Sequence, residues 1–229
     1  MKKKKLKKKI CVVGMGYVGS VSAIIFANIM ENKTSKYDVI GIEKNDKMGQ
    51  EKINKLNSGK FITKTNDSKI QSYLKKAKKL NSLSIKSNYE DLKTADYVVI
   101  AVNLDLKGNE NKPKINFSNL IKITNIIGAS IKKDATIILE TTVPPGTCDT
   151  IIMPIILKNF KIRQIKTAPN IIHSYERVTP GKNYIKSIKK SFRIYSSSNK
   201  EAEKKFKFLY RDVIDLKKFS LIKLDKFIE

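Results

Sequence analysis

Three glycines, Gly14, Gly16 and Gly19, stand in the run G-M-G-Y-V-G. An apolar stretch, KICVV, leads into it, and a stretch of helical length with small residues near its start, VGSVSAIIFANIM, leads out. In a strand–turn–helix each glycine has a mechanical task. The first permits the tight turn, the second removes a side chain where phosphate must approach the backbone, and the third lets the helix pack close to the sheet. The helix N-terminus then offers unpaired N–H groups and a partial positive charge. The chemistry that suits this arrangement is holding the pyrophosphate of a dinucleotide. A second apolar run, YDVIGIE, ends in Glu43, 24 residues after Gly19, against roughly 20 expected for the acid that accepts hydrogen bonds from the adenosine ribose. A carboxylate there repels a 2′-phosphate and favours NAD over NADP. Lys44 and Lys47 soften that preference. The competing reading is a glycine turn used only for close packing.

Two further stretches carry reactive groups. ETTVPPGT, residues 140 to 147, ends an apolar run, and ligands in open α/β sheets bind beyond the strand ends. Thr141 and Thr142 could present hydroxyls there. Pro144, Pro145 and Gly146 fix a turn, and Thr147 is placed to cap the next helix. APNIIHSYERVTPGK, residues 168 to 182, carries Glu176, Arg177 and His173, the one histidine. A carboxylate such as Glu176 can orient or activate water, whereas His173 reads as a solvated side chain in a polar loop. The two cysteines, Cys11 and Cys148, are too far apart for a metal cluster or disulfide framework and read as small buried hydrophobes. No metal site is expected.

The elements that must position these groups alternate along the chain. Strand candidates are residues 9–14, 37–43, 94–102, 135–143, 163–170 and 191–197. Helix candidates are 18–30, 45–59, 67–79, 117–131, 147–159 (with Pro154 a kink) and 199–213. Lys- and Asn-rich stretches at 60–90 and 105–114 read as loops and exposed helix faces. Strand–helix alternation with apolar strands predicts an α/β fold of the Rossmann-like, doubly wound kind: a mostly parallel sheet with helices on both faces. The expected division is a basic tail over 1–8, a dinucleotide-binding domain over 9–215 and the start of an interdomain segment over 216–229.

A chain of 229 residues with 41% hydrophobic content can bury a substantial core. It has no apolar run of membrane-spanning length, and the lysine-rich start lacks the apolar core of a signal peptide. The sequence therefore reads as cytoplasmic, with no membrane partner. A net charge of +26 suggests nucleic acid. However, the lysines are spread along the whole chain and arginine, the usual reader of base edges, is scarce. No specific nucleic-acid partner is expected.

GMGYVG, IGIE, DYVVIAV, ETTVPPGT and YERVTPG occur in an order that resembles the N-terminal part of the UDP-glucose/GDP-mannose dehydrogenase family, from about Lys9 to Lys218. The YERVTPG form is most similar to the branch acting on N-acetylated hexosamine sugars. The resemblance implies an NAD-dependent nucleotide-sugar 6-dehydrogenase of polysaccharide biosynthesis, oxidising a C6 alcohol to a carboxylate by two hydride transfers. It implies cofactor contacts from Gly14, Gly16, Tyr17, Val18, Gly19, Glu43, Lys47, Val102 and Thr142. Thr142 would stand near the nicotinamide and the catalytic water, and Glu176 would assist hydrolysis of a covalent intermediate. There are departures: Tyr175 replaces a proline, Asn103 and Leu104 replace a P-T or T-P pair, and ENKTSK lengthens the segment before YDVIGIE.

The family's nucleophilic cysteine belongs to a glycine-rich loop of a C-terminal domain, and neither cysteine here has that context. The chain therefore reads as the NAD-binding part, with the UDP-sugar met through a missing domain and a homodimer expected only of the full-length protein. It would be inactive alone. The alternatives are a stand-alone NAD(H)-binding module, half of a split enzyme, or another Rossmann dehydrogenase such as a 3-hydroxyacid type.

Overall fold

The computed structural model describes residues 6–65, 67–107, 114–177 and 181–224. In chain order its elements are β1 (Lys8–Val13), α1 (Tyr17–Ala27), β2 (Met30–Glu31), β3 (Thr34–Ser35), β4 (Tyr37–Ile42), α2 (Lys47–Asn57), α3 (Ser68–Lys79), β5 (Leu83–Lys86), β6 (Tyr97–Ile100) and β7 (Asp105–Lys107). There follow β8 (Lys114–Asn116), α4 (Ser118–Ser130), β9 (Thr136–Leu139), α5 (Met153–Ile162), β10 (Asn170–His173), α6 (Tyr184–Lys189), β11 (Arg193–Ser197), α7 (Lys200–Tyr210) and β12 (Leu221–Lys223).

Eight strands form one sheet in the order β12-β11-β10-β9-β6-β1-β4-β5. Neighbours run parallel except β10 and β11, which are antiparallel. From β1 the chain winds through β4 to β5 on one side, then crosses to β6 on the other. The order reverses at β1, and a crevice opens beyond the strand ends at such a switch point. The expected doubly wound, mostly parallel sheet is what forms.

Strand β1 shows why the sheet needs two covers. Ile10 and Val12 join one buried cluster, while Cys11 and Val13 join the other. Successive side chains point to opposite faces. Helices α1, α3, α6 and α7 supply Ile24, Leu74, Ile185 and Phe206 to the first cluster. Helices α4 and α5 supply Ile123 and Ile156 to the second. The described residues contain no helix long and apolar enough to cross a membrane.

Local chemistry fixes the element ends. The Asp46 carboxylate caps α2 by accepting from the Gly49 N–H at 2.7 Å. That helix stops at Gly59, which takes φ +84°, and the Lys60 N–H closes on the Lys55 carbonyl. Asp67 caps α3 and Asn199 caps α7.

Several expectations move. Leu83–Lys86, read as loop or exposed helix, is an edge strand pairing with β4. The polar stretch after β6 folds back as a small antiparallel pair, β7 with β8. The strand expected over 163–170 starts only at Asn170, because Gln164 takes φ +58° and turns the chain first. ENKTSK forms the β2–β3 hairpin, with Asn32 and Lys33 at positive φ. The helix expected over 147–159 opens as a wide π-type turn at Cys148–Ile152 that runs into α5, and Pro154 stands just after the two meet, in the first turn of α5. Leu221–Lys223, within the segment expected to lead out of the domain, lies alongside β11 as an edge strand.

Candidate dinucleotide cleft

The glycine turn leaves β1 at Gly14, whose φ is +97° and whose N–H donates to the Ile42 carbonyl at 2.8 Å. A Cβ on Gly14 would lie 2.6 Å from the Ala101 carbonyl oxygen, and one on Gly19 would lie 1.9 Å from the Gly14 oxygen. Both glycines are therefore required by packing. Gly16 differs, since a Cβ there would have nothing within 4 Å. Gly16 is also the N-cap of α1, which has no side-chain cap bond and no acidic residue in its first turn. The helix thus presents uncapped amides to open space beside a residue without a side chain. That is what an approaching diphosphate requires.

Around this turn runs a cleft of about 220 Å³ lined by Gly14, Gly16, Glu43, Lys52, Val102 and Asp105, among others. Glu43, just past β4, is buried. Its Oε2 accepts from the Met15 N–H at 3.1 Å and the Lys52 ammonium at 2.9 Å, and its Oε1 accepts from the Lys44 N–H at 2.9 Å. The acid lines the cleft beside the glycine turn. Lys47, the first residue of α2, is exposed and lies outside the lining of this cleft. Lys52 lies five residues further along, on the helix face that looks back at Glu43. Only the helix start, displaced by the Asp46 cap, could have indicated this.

A second cleft of about 370 Å³ shares Ala101, Val102, Asn103 and Asp105 with the first and extends to Val18, Glu140, Thr142 and Glu176. The two adjoin over the ends of the central strands. Tyr17 opens α1 more than half exposed, and its carbonyl accepts from the Tyr184 hydroxyl at 3.1 Å. Burial pushes the Tyr184 phenol above its ordinary value, with Glu176 adding to the shift. Thr142 is exposed to the cleft, whereas the Thr141 hydroxyl is turned inward and donates to the Val102 carbonyl at 2.8 Å. The structure therefore brings together every expected site residue as lining of these two clefts except Lys47, Tyr17 and Gly19, the last packed beneath the turn.

Beneath the second cleft lies a cluster that the sequence does not announce. Glu140 is buried and accepts hydrogen bonds from the Arg193 guanidinium, the Tyr210 hydroxyl and the Ser22 hydroxyl. Arg193 is also buried, donates from Nε to the Ser174 Oγ at 3.0 Å, and stacks 4.6 Å from the Tyr210 ring centroid. Burial pushes the Tyr210 phenol well above its ordinary value, against the opposing pull of Arg193. The first residue of β11 thereby ties the end of β9, two residues before Thr142, to Ser174, two residues before Glu176.

Two expected side chains behave otherwise. His173 is no solvated loop residue: it ends β10 and is 2% exposed, with its ring 5.6 Å from that of Tyr175. Thr147 does not cap a helix with its side chain; its hydroxyl donates back to the Pro144 carbonyl at 2.7 Å. Both cysteines are buried. Burial, reinforced by Asp91, pushes the Cys11 thiol up to about 12, which keeps it protonated and unreactive at neutral pH.

Comparison with known proteins identifies the family. Residues 8–214 match the model of the NAD-binding domain of the UDP-glucose/GDP-mannose dehydrogenase family. UDP-N-acetyl-D-mannosamine dehydrogenase of Pyrococcus horikoshii is 29% identical over 90% of this chain and 45% of its own length. UDP-glucose 6-dehydrogenase of Rickettsia conorii is 34% identical over 62% of this chain and 30% of its own. Among solved structures, NDP-N-acetyl-D-galactosaminuronic acid dehydrogenase from Methanosarcina mazei superposes with a TM-score of 0.83 at 26% identity, covering 96% of this chain and 44% of that one. The chain spans less than half the length of these relatives. Through residues 8–214 it belongs to the UDP-glucose/GDP-mannose dehydrogenase family, as that family's NAD-binding domain.

Proposed function

We propose that this chain binds NAD along the two joined clefts and serves as the cofactor-binding part of a nucleotide-sugar 6-dehydrogenase. The observation that carries this reading is the contrast among the three glycines. Packing demands Gly14 and Gly19, but nothing in the fold demands Gly16. Its missing side chain is explained by a ligand.

Bound NAD would supply the hydride acceptor. In this reading Glu43 orients the adenosine ribose, and Gly16, Tyr17 and Val18 follow the diphosphate. Thr142 and Glu176 line the far cleft, where a hydroxyl and a carboxylate can hold water and take its proton. Cys11 is buried and protonated and Cys148 is buried, so the thiol nucleophile would come from the part of the relatives that this chain does not match. The N-acetylated hexosamine branch is the favoured substrate class, because YERVTPG is similar to that branch and the Pyrococcus relative is named for such a sugar. A homodimer is proposed for the complete enzyme only.

The test is calorimetric titration of the purified chain with NAD beside a Gly16→Val variant. The wild type should bind, and the variant should lose about 100-fold in affinity or more, equivalent to about 2.7 kcal/mol, while still melting as a folded protein. A folded wild type that does not bind NAD would overturn the reading.

A further inference from the structure

We infer that Asn119 makes the first cleft selective for adenine, by pairing its side-chain amide with the edge of a base seated against Tyr89. The inference rests on the dinucleotide reading above and concerns which base that same site accepts. Besides Glu43, the cleft is lined by Ile42, Val102 and Ile123, all buried members of the second core cluster. Tyr89 lines it too, half-buried and packed against that cluster. The core thus reaches the cleft as an apolar floor. A flat aromatic ring gains by covering such a floor, because water leaves both surfaces. Burial raises the Tyr89 phenol and the Glu43 charge adds to the shift, so the ring stands near the acid of the ribose end.

An apolar floor alone does not choose among bases. Asn119 is the second residue of α4 and lies one helical turn before Ile123, so the two share a face, and both line the cleft. Asn119 is partly buried, and among the described residues its amide has no hydrogen-bond partner. Asn57 on α2 is the contrast: its amide donates to the Ile85 carbonyl and accepts from the Ile85 N–H, both at 2.9 Å. A carboxamide offers a donor and an acceptor side by side. Adenine presents the complementary pair, a ring nitrogen that accepts beside an amino group that donates. A base with a carbonyl in place of that amino group presents two acceptors, and one end of the amide then faces a like group.

The experiment is calorimetric titration of the intact chain with NAD and with nicotinamide hypoxanthine dinucleotide, in which a carbonyl replaces the adenine amino group. The wild type should bind the hypoxanthine analogue about tenfold more weakly or worse. Two removals of the amide, Asn119→Leu and Asn119→Ala, should each weaken NAD by about tenfold and bring the two dinucleotides within about threefold of each other. Tyr89→Leu trims the floor and should weaken both dinucleotides alike, keeping the ratio. A wild type that binds NAD and the analogue equally overturns the inference and leaves the dinucleotide reading standing. So does a folded Asn119 variant with the wild-type ratio, or a Tyr89→Leu that abolishes it. A wild type that binds neither overturns both.

Discussion

The Glu43 end and the Thr142 end of the cleft are held in place by different means. At the Glu43 end the backbone does most of the shaping. Gly14 and Gly19 interlock, α1 starts without a cap, and Glu43 accepts from main-chain N–H groups within the turn and beside it. At the Thr142 end the strand ends are joined by buried side chains, Glu140 to Arg193, 53 residues apart in sequence. A backbone-built site depends on the absence of atoms, whereas a side-chain-built site depends on a charge being matched out of water. The first therefore tolerates charge changes and fails when bulk is added. The second tolerates bulk nearby and fails when a partner is lost.

The strongest test of that contrast is Arg193→Leu. It leaves the Glu140 carboxylate buried without its cation, which typically costs about 3–5 kcal/mol. Denaturant unfolding should show a loss of that size, and a change below about 1 kcal/mol would mean the pair is no clamp. At the other end, Gly19→Ala forces a Cβ to within 1.9 Å of a backbone oxygen and should destabilise by about 1–3 kcal/mol. Gly16→Ala meets no neighbour but is a poorer N-cap, so it should cost about 1 kcal/mol or less. Equal losses for the two glycine variants would remove the distinction between a packing glycine and a ligand glycine.

Alkaline titration reaches both ends through different groups. Cys11 lies in β1, which leads into the glycine turn, and its thiol is pushed up to about 12. Tyr210, beneath the far cleft, is raised as well. A raised native value means that the folded state keeps a proton which the unfolded chain gives up, from about pH 8.5 for cysteine. Stability should thus be full below that pH and fall as pH rises towards 12, with a slope approaching about 1.4 kcal/mol per unit for each such group. A flat profile of unfolding midpoint between pH 8.5 and 10.5 would contradict the burial of the thiol. A modest effect is expected from Tyr184→Phe, which deletes the hydrogen bond to the Tyr17 carbonyl. It should cost about 0.5–1.5 kcal/mol, measured by thermal melting, and should weaken NAD binding less than Gly16→Val does.

The two ends also differ in how far sequence reveals them. The glycine spacing and the acid ending IGIE expose the first end, because its parts are consecutive or follow one strand later. Lys52 escapes because its place depends on where α2 starts, which the Asp46 cap decides. The second end is half visible. Thr142 and Glu176 follow apolar runs, but Glu140 and Arg193 resemble ordinary surface charges until the sheet brings them together. Strand β5 is missed because LSIK sits at the sheet edge and is only partly buried. His173 is misplaced because the strand begins after Pro169 rather than before it.

The reversal at β11 has a consequence for chain entropy. The chain leaves the cleft rim at Ser174 and returns to it at Arg193, and the guanidinium grips the Ser174 hydroxyl and carbonyl at that neck. Joining two points of a chain costs entropy that grows only slowly with the length between them. Here the pairing of β10 with β11 and the guanidinium meet that cost at the neck, and between the two points α6 packs Ile185 into the core. Glu176 is thus carried on a segment anchored at both ends and again by α6.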